Sequence, residues 1–229
     1  MNSLKLNFYL RRIATIGAIS LLTLALIASL SGIAIAFHYQ STAAAAHQSL
    51  TQIKNAIPSG GLILSLHNWA GNGIIAVSLI QIIVLFLGRQ FRRSWLTAWI
   101  SGILLTLSTI GLGWTAMILA WNQLGFWRLK VELSIIESVP VVGTAIRDFL
   151  TGGSGINTTT ILHFYTIHSY VLSVAAIALS LIHLIALITQ EQEAKGLLVQ
   201  QLEKLIAPTD ANVDTKTTSP KAETTSSKV

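Results

Sequence analysis

The stretch FYTIHSYVLSVAAIALSLIH, Phe164 to His183, lies inside an uncharged run from Ile161 to Ile188 and carries two histidines fifteen residues apart. The run exceeds the roughly 20 helical residues needed to cross a hydrocarbon core. An imidazole at that depth is costly and marks a functional candidate. Fifteen residues rise about 22 Å, a little over four turns, so His168 and His183 fall roughly on one face, one near each end of the crossing. Two imidazoles so placed suit two stacked cofactors; the alternative for each is a histidine hydrogen-bonded to a neighbouring helix.

Three further runs are long enough to span: Ile13 to Phe37, Leu62 to Leu87 and Leu96 to Leu119, none with a Lys, Arg, Asp or Glu. The 229 residues are 52% hydrophobic and 10% charged, against about 25% charge in a soluble domain. An all-α, integral membrane four-helix bundle is therefore expected. Cysteine is absent, which excludes disulfides, thiolate metal sites, iron–sulfur clusters and thioether-linked haem. The net charge of +6 does not mark a nucleic-acid partner: residues 1–131 hold nine Lys or Arg and no acid, placed between apolar runs as topology signals. The first run is too long for a signal peptide. Lys5, Arg11 and Arg12 before the first span, and Arg89, Arg92 and Arg93 after the second, place both termini on the cytoplasmic or stromal side.

The expected organisation is a basic segment (1–12), the four-helix domain (13–190), a helical or amphipathic extension (191–207) and a disordered polar tail (208–229). The third loop is long, and two short amphipathic segments in it, Val131 to Val139 and Gly143 to Leu150, are expected along the membrane surface around Pro140. Trp69, Trp121, Trp127 and Tyr165 read as interfacial anchors, and His38, His47 and His163 as interfacial histidines. Lipid is the surrounding partner. Gly152 to Gly155 is a flexible break without the features of a phosphate loop.

His67 lies early in the second span, at the same end of the bundle as His168. A b-type haem needs no cysteine, and its iron takes axial imidazoles from facing helices. Several motifs occur in order: SGIAIAFHY (Ser31 to Tyr39), LHNWAGN around His67, WNQLGFW (Trp121 to Trp127), ESVPVVG (Glu137 to Gly143) and the His168/His183 helix. Together they resemble the N-terminal four-helix part of cytochrome b, most of all the cytochrome b6 type, over nearly all of residues 7 to 190. The His168/His183 spacing is also that of the b6 type.

The resemblance implies two haem b sites. The outer one uses His67 and His168 as axial ligands. The inner one pairs His183 with a histidine fourteen residues after His67, but position 81 is Gln81. Other departures cluster there: Val84 stands for an arginine near the inner haem propionates, and Thr106 for a glycine, while Gly102 and Gly113 match. At the outer end Ala116 replaces a glycine, and Leu64 and His163 replace arginines; His163, His38 or Arg128 are candidates for the propionate role.

One haem at His67/His168 is expected, with His183 either empty or holding a five-coordinate haem alone. The implied function is membrane electron transfer in respiration or photosynthesis, in a thylakoid or bacterial inner membrane. The implied partners are quinone or quinol and a companion membrane subunit of a cytochrome b-type complex. Alone, the chain is not expected to be a complete quinol-oxidising enzyme. The alternative is a haem-poor assembly or interaction subunit.

Overall fold

The structure, a computed structural model, describes residues 2–88, 95–153 and 155–206. The cations Arg89, Arg92 and Arg93 and the tail from Pro208 onward lie outside the described residues. The elements are α1 (Asn2–Ala36), α2 (Ala46–Ala56), α3 (Gly60–Leu87), α4 (Leu96–Leu119), α5 (Gln123–Glu137), α6 (Gly143–Thr151), α7 (Thr158–Thr166), a π-helical turn (Ile167–Leu172) and α8 (Ser173–Ile206). Among the described residues there is no strand. Four helical stretches are long and apolar enough to cross a membrane: Phe8–Ala36, Gly60–Leu87, Leu96–Leu119 and one within Thr158–Ile206. The expected all-α membrane bundle is borne out, and the third span has the bounds read from sequence.

Composition within these helices is inverted relative to a soluble bundle. Ile16, Ile19, Ile33, Ile80, Ile83, Leu107 and Ile185 are exposed, whereas Ser78, Gln81, Ser101, Thr109, Thr115, Ser180 and His183 are buried. Lipid rewards that arrangement, because tails solvate apolar side chains while polar ones must find partners inside. Hydroxyls that face outward bond their own helix, as Ser20 does to the Ile16 carbonyl (3.0 Å) and Ser108 to that of Leu104 (2.8 Å). Small residues let helices approach: Ala14 and Ala18 of α1 meet Val84 and Leu85 of α3, with Ala98 of α4 and Ala186 of α8 completing the cluster.

The connectors α2, α5 and α6 gather at one end of unit 1, Met1–Gln190, which we call the connector end. There Ala46, Ile118, Leu129, Leu133, Ile161 and Phe164 share a core. The Trp114 indole donates to Glu132 (2.6 Å), and Arg128 pairs with the same carboxylate (2.6 Å), holding α5 against α4. Tyr39 donates from its hydroxyl to the Leu119 carbonyl (2.9 Å). Burial first, and then the neighbouring Tyr165 hydroxyl, raise Tyr39 above the ordinary tyrosine range, so it remains a neutral donor.

Two connectors differ from expectation. The first surface helix starts at Gln123 rather than near Val131, because Asn122 caps it by accepting from the Gly125 amide (2.8 Å). Helix α2 was not anticipated; it buries Ala46, Ser49 and Ile53 at helical spacing. Unit 2, Glu191–Val229, contains the last part of α8, where Lys195 pairs with Glu191 (3.0 Å).

Candidate functional site: two pairs of facing side chains

Helix α3 carries His67 near its start and Gln81 fourteen residues later, about 21 Å along the axis. The fourth crossing carries His168 and His183. Fifteen residues on an unbroken α-helix overshoot four turns by about 60°. His168 lies in the π-helical turn Ile167–Leu172, whose wider loop takes up the extra residue. His168 thereby faces His67, and His183 faces Gln81.

At the connector end the His67 and His168 rings lie with centroids 6.3 Å apart and planes tilted by 58°. Each ring is held from behind. His67 Nδ1 lies 2.9 Å from the Ala28 carbonyl and 3.2 Å from Ser31 Oγ, both on α1. A carbonyl only accepts, so Nδ1 carries the proton and Nε2 presents a bare lone pair. His168 Nδ1 lies 2.8 Å from Thr115 Oγ1 on α4. That hydroxyl already donates to the Gly111 carbonyl (2.8 Å), so it accepts from His168 Nδ1–H. Gly32 clears the flank of His67, since a Cβ there would sit 3.1 Å from His67 Cε1.

These features fit an iron held between the two rings. A metal–imidazole bond is about 2 Å long, so the two bonded nitrogens stand about 4 Å apart and the centroids about 6 Å apart. Fixing Nδ1–H on a carbonyl or hydroxyl is also how metal-bound histidines are oriented. Among the described residues, no group of three or more His, Asp or Glu side chains gathers as a metal ion bound by protein alone would require.

The second pair is closed. Gln81 Nε2 lies 3.1 Å from His183 Nε2, less than the roughly 4 Å that a bridging metal requires. Gln81 Nε2 also donates to the Ala14 carbonyl (2.9 Å). His183 is fully buried and directs Nδ1 to the Ala98 carbonyl (3.0 Å) and Ser101 Oγ (3.1 Å). This pair, as it stands, does not fit a six-coordinate haem.

Of the other residues singled out from sequence, Gly102 lies against a member of one pair. Arg128 is engaged with Glu132, and His163 directs Nδ1 to the Phe149 carbonyl (2.9 Å). Gly102 flanks His183, whereas Gly113 faces Ile75. Thr106 is buried and bonds the Gly102 carbonyl (2.9 Å). Trp121 donates to the Ala43 carbonyl (3.1 Å), and Trp69 is largely exposed. Sequence reading missed the positioning hydroxyls of Ser31, Ser101 and Thr115. The two serines share a signal, ASLSG (Ala28 to Gly32) and AWISG (Ala98 to Gly102), the same pattern on two helices.

Comparison with known proteins shows the family. The family model described as Cytochrome b/b6/petB matches residues 1–191. The cytochrome b6 of Mastigocladus laminosus is 33% identical over 162 residues, covering 71% of this chain and 75% of that protein. The cytochrome b6 of Gloeobacter violaceus is 31% identical over 153 residues, covering 67% and 71%. Among solved structures, a chain of a hyperthermophilic respiratory Complex III superposes with a TM-score of 0.66 at 21% identity, covering 77% of this chain and 47% of that one. The structural match thus spans just under half of the larger chain and shares its fold. With four apolar crossings and these relatives, the chain is an integral membrane protein and belongs to the cytochrome b/b6 family.

Proposed function

We propose that this protein carries electrons in a membrane by means of a single b-type haem that His67 and His168 would hold, and that it holds none at Gln81 and His183. Membership of the cytochrome b/b6 family implies b-type haem in general. The observation that carries the finer reading is the 6.3 Å separation of two rings whose Nδ1 atoms are both engaged elsewhere. When bound, haem supplies a one-electron iron couple.

The chain's own contribution is positional. Ala28 and Ser31 fix one imidazole, Thr115 fixes the other, and both Nε2 lone pairs are left to the iron. Helices α1, α3, α4 and the fourth crossing would exclude water from it, which with the two imidazoles would set its potential. At the other end every donor of Gln81 Nε2 is spent on protein acceptors. A chain with one redox position needs outside partners. The proposal gives it a quinone or quinol and a companion membrane subunit, with both termini on the cytoplasmic or stromal side.

The closed Gln81–His183 contact also favours a second reading, a haem-poor assembly subunit descended from a cytochrome b. Pyridine haemochrome quantification separates the two. One haem per chain is expected, falling at least tenfold in His168→Ala and staying unchanged in His183→Ala. A colourless protein would support the assembly subunit, and two low-spin haems per chain would overturn the single-site proposal.

A further inference from the structure

Helices α1 and α4 each bear two clamps fourteen residues apart, and the four resemble one another. In three of them a histidine Nδ1 is held by a hydroxyl at the fourth residue of a short run. These are Ser31 with the Ala28 carbonyl for His67, Ser101 with the Ala98 carbonyl for His183, and Thr115 for His168, where Thr115 also reaches the Leu112 carbonyl at 3.1 Å. The fourth run begins at Ala14, whose carbonyl accepts from Gln81. Its fourth residue is Gly17, not a hydroxyl. A Cβ built on Gly17 would collide with Gln81 Oε1. The one clamp without a hydroxyl therefore faces the one position without a histidine, and the vacated space holds the Gln81 carboxamide.

We propose that Gly17 and Gln81 are a coupled pair whose hydrogen-bonded clasp ties α1, α3, α4 and α8 together in place of a second iron. The inference rests on the single-haem reading. The proton inventory closes without any cofactor. Ala98 O accepts from His183 Nδ1–H, His183 Nε2 accepts one Gln81 amide proton, and Ala14 O accepts the other. Four helices are thus connected through one buried carboxamide and one buried imidazole. The amide orientation follows from its neighbours, since only Nε2 can donate to both a carbonyl and a bare imidazole nitrogen. Gly17 is the positioning residue of this arrangement.

The test is a double-mutant cycle on the full-length protein in nanodiscs: wild type, Gly17→Ala, Gln81→Ala and both together, read by thermal melting and by haem per chain. Gly17→Ala should lower Tm by a few degrees when Gln81 is present. In the Gln81→Ala background it should be neutral or raise Tm, because alanine is the better helix former once the carboxamide is gone. Gln81→Ala alone should melt below wild type. If Gly17→Ala does not accumulate in membranes, accumulation of the double variant replaces the melt as support. Equal effects of Gly17→Ala in both backgrounds, or a double variant that fails where Gln81→Ala accumulates, would overturn the clasp. Wild-type haem content judges the other reading separately. No haem would sink the haem proposal and leave the cycle to decide the clasp, whereas two low-spin haems would sink both.

Discussion

The Ala28 carbonyl, with Ser31 beside it, decides which nitrogen of His67 is free, and the Thr115 hydroxyl does so for His168. Loss of an outer-shell hydrogen bond to a metal-bound histidine typically weakens metal binding by about 10–100-fold. Ser31→Ala leaves the Ala28 carbonyl in place and should weaken haem retention at the lower end of that range. Thr115→Val removes the hydroxyl 2.8 Å from His168 Nδ1 and should weaken it within the same range. Haem transfer to apomyoglobin, followed optically, measures both, and equal retention in Thr115→Val and wild type would contradict the assigned role. His67 and His168 were legible as a pair because imidazoles in apolar runs stand out and their places along two helices match. The hydroxyls stood out less, even where ASLSG and AWISG repeat a pattern, since Ser and Thr are common in membrane helices and most bond their own backbone, as Thr23 does to the Ile19 carbonyl (2.9 Å). Gly17 was less legible still. Its meaning depends on a carboxamide on another helix, and the register between α1 and α3 cannot be read from either one alone.

Among the elements, the crossings were legible from length and charge alone, and Leu96–Leu119 shows how far that reaches. The π-helical turn was not. Fifteen residues suggested one face, yet an unbroken α-helix would rotate His168 away from His183 by about 60°. The correction comes from local hydrogen bonding around Ile167–Leu172 rather than from any residue that announces it. Among the connectors, Asn122 extends α5 by eight residues toward α4, from the expected Val131 to Gln123. Asn122→Ala should cost about 1 kcal/mol, a fall in Tm of roughly 2–4 °C, with haem content unchanged. Melting and haem content measured on one preparation check this. A loss of haem without a change in Tm would mean that the cap matters to the site rather than to α5.

For the whole molecule, the inverted distribution of polarity argues for four crossings, and the proposed topology puts both termini on one side of the membrane. The absence of native cysteine makes topology directly measurable. With single cysteines at Ser3, Ser59 and Gln200, a membrane-impermeant maleimide should label Ser3→Cys and Gln200→Cys from one face and Ser59→Cys from the other. Labelling of all three from one face would contradict the arrangement. The chain shares its fold with just under half of a Complex III chain. The central claim concerns a smaller volume, the space between two rings 6.3 Å apart. Near-infrared magnetic circular dichroism of the oxidised protein, with haem quantified on the same sample, tests it most directly. The account predicts one haem per chain with the charge-transfer band of bis-imidazole ligation, abolished by His67→Ala and untouched by His183→Ala. A spectrum that survives His67→Ala and disappears in His183→Ala would contradict it.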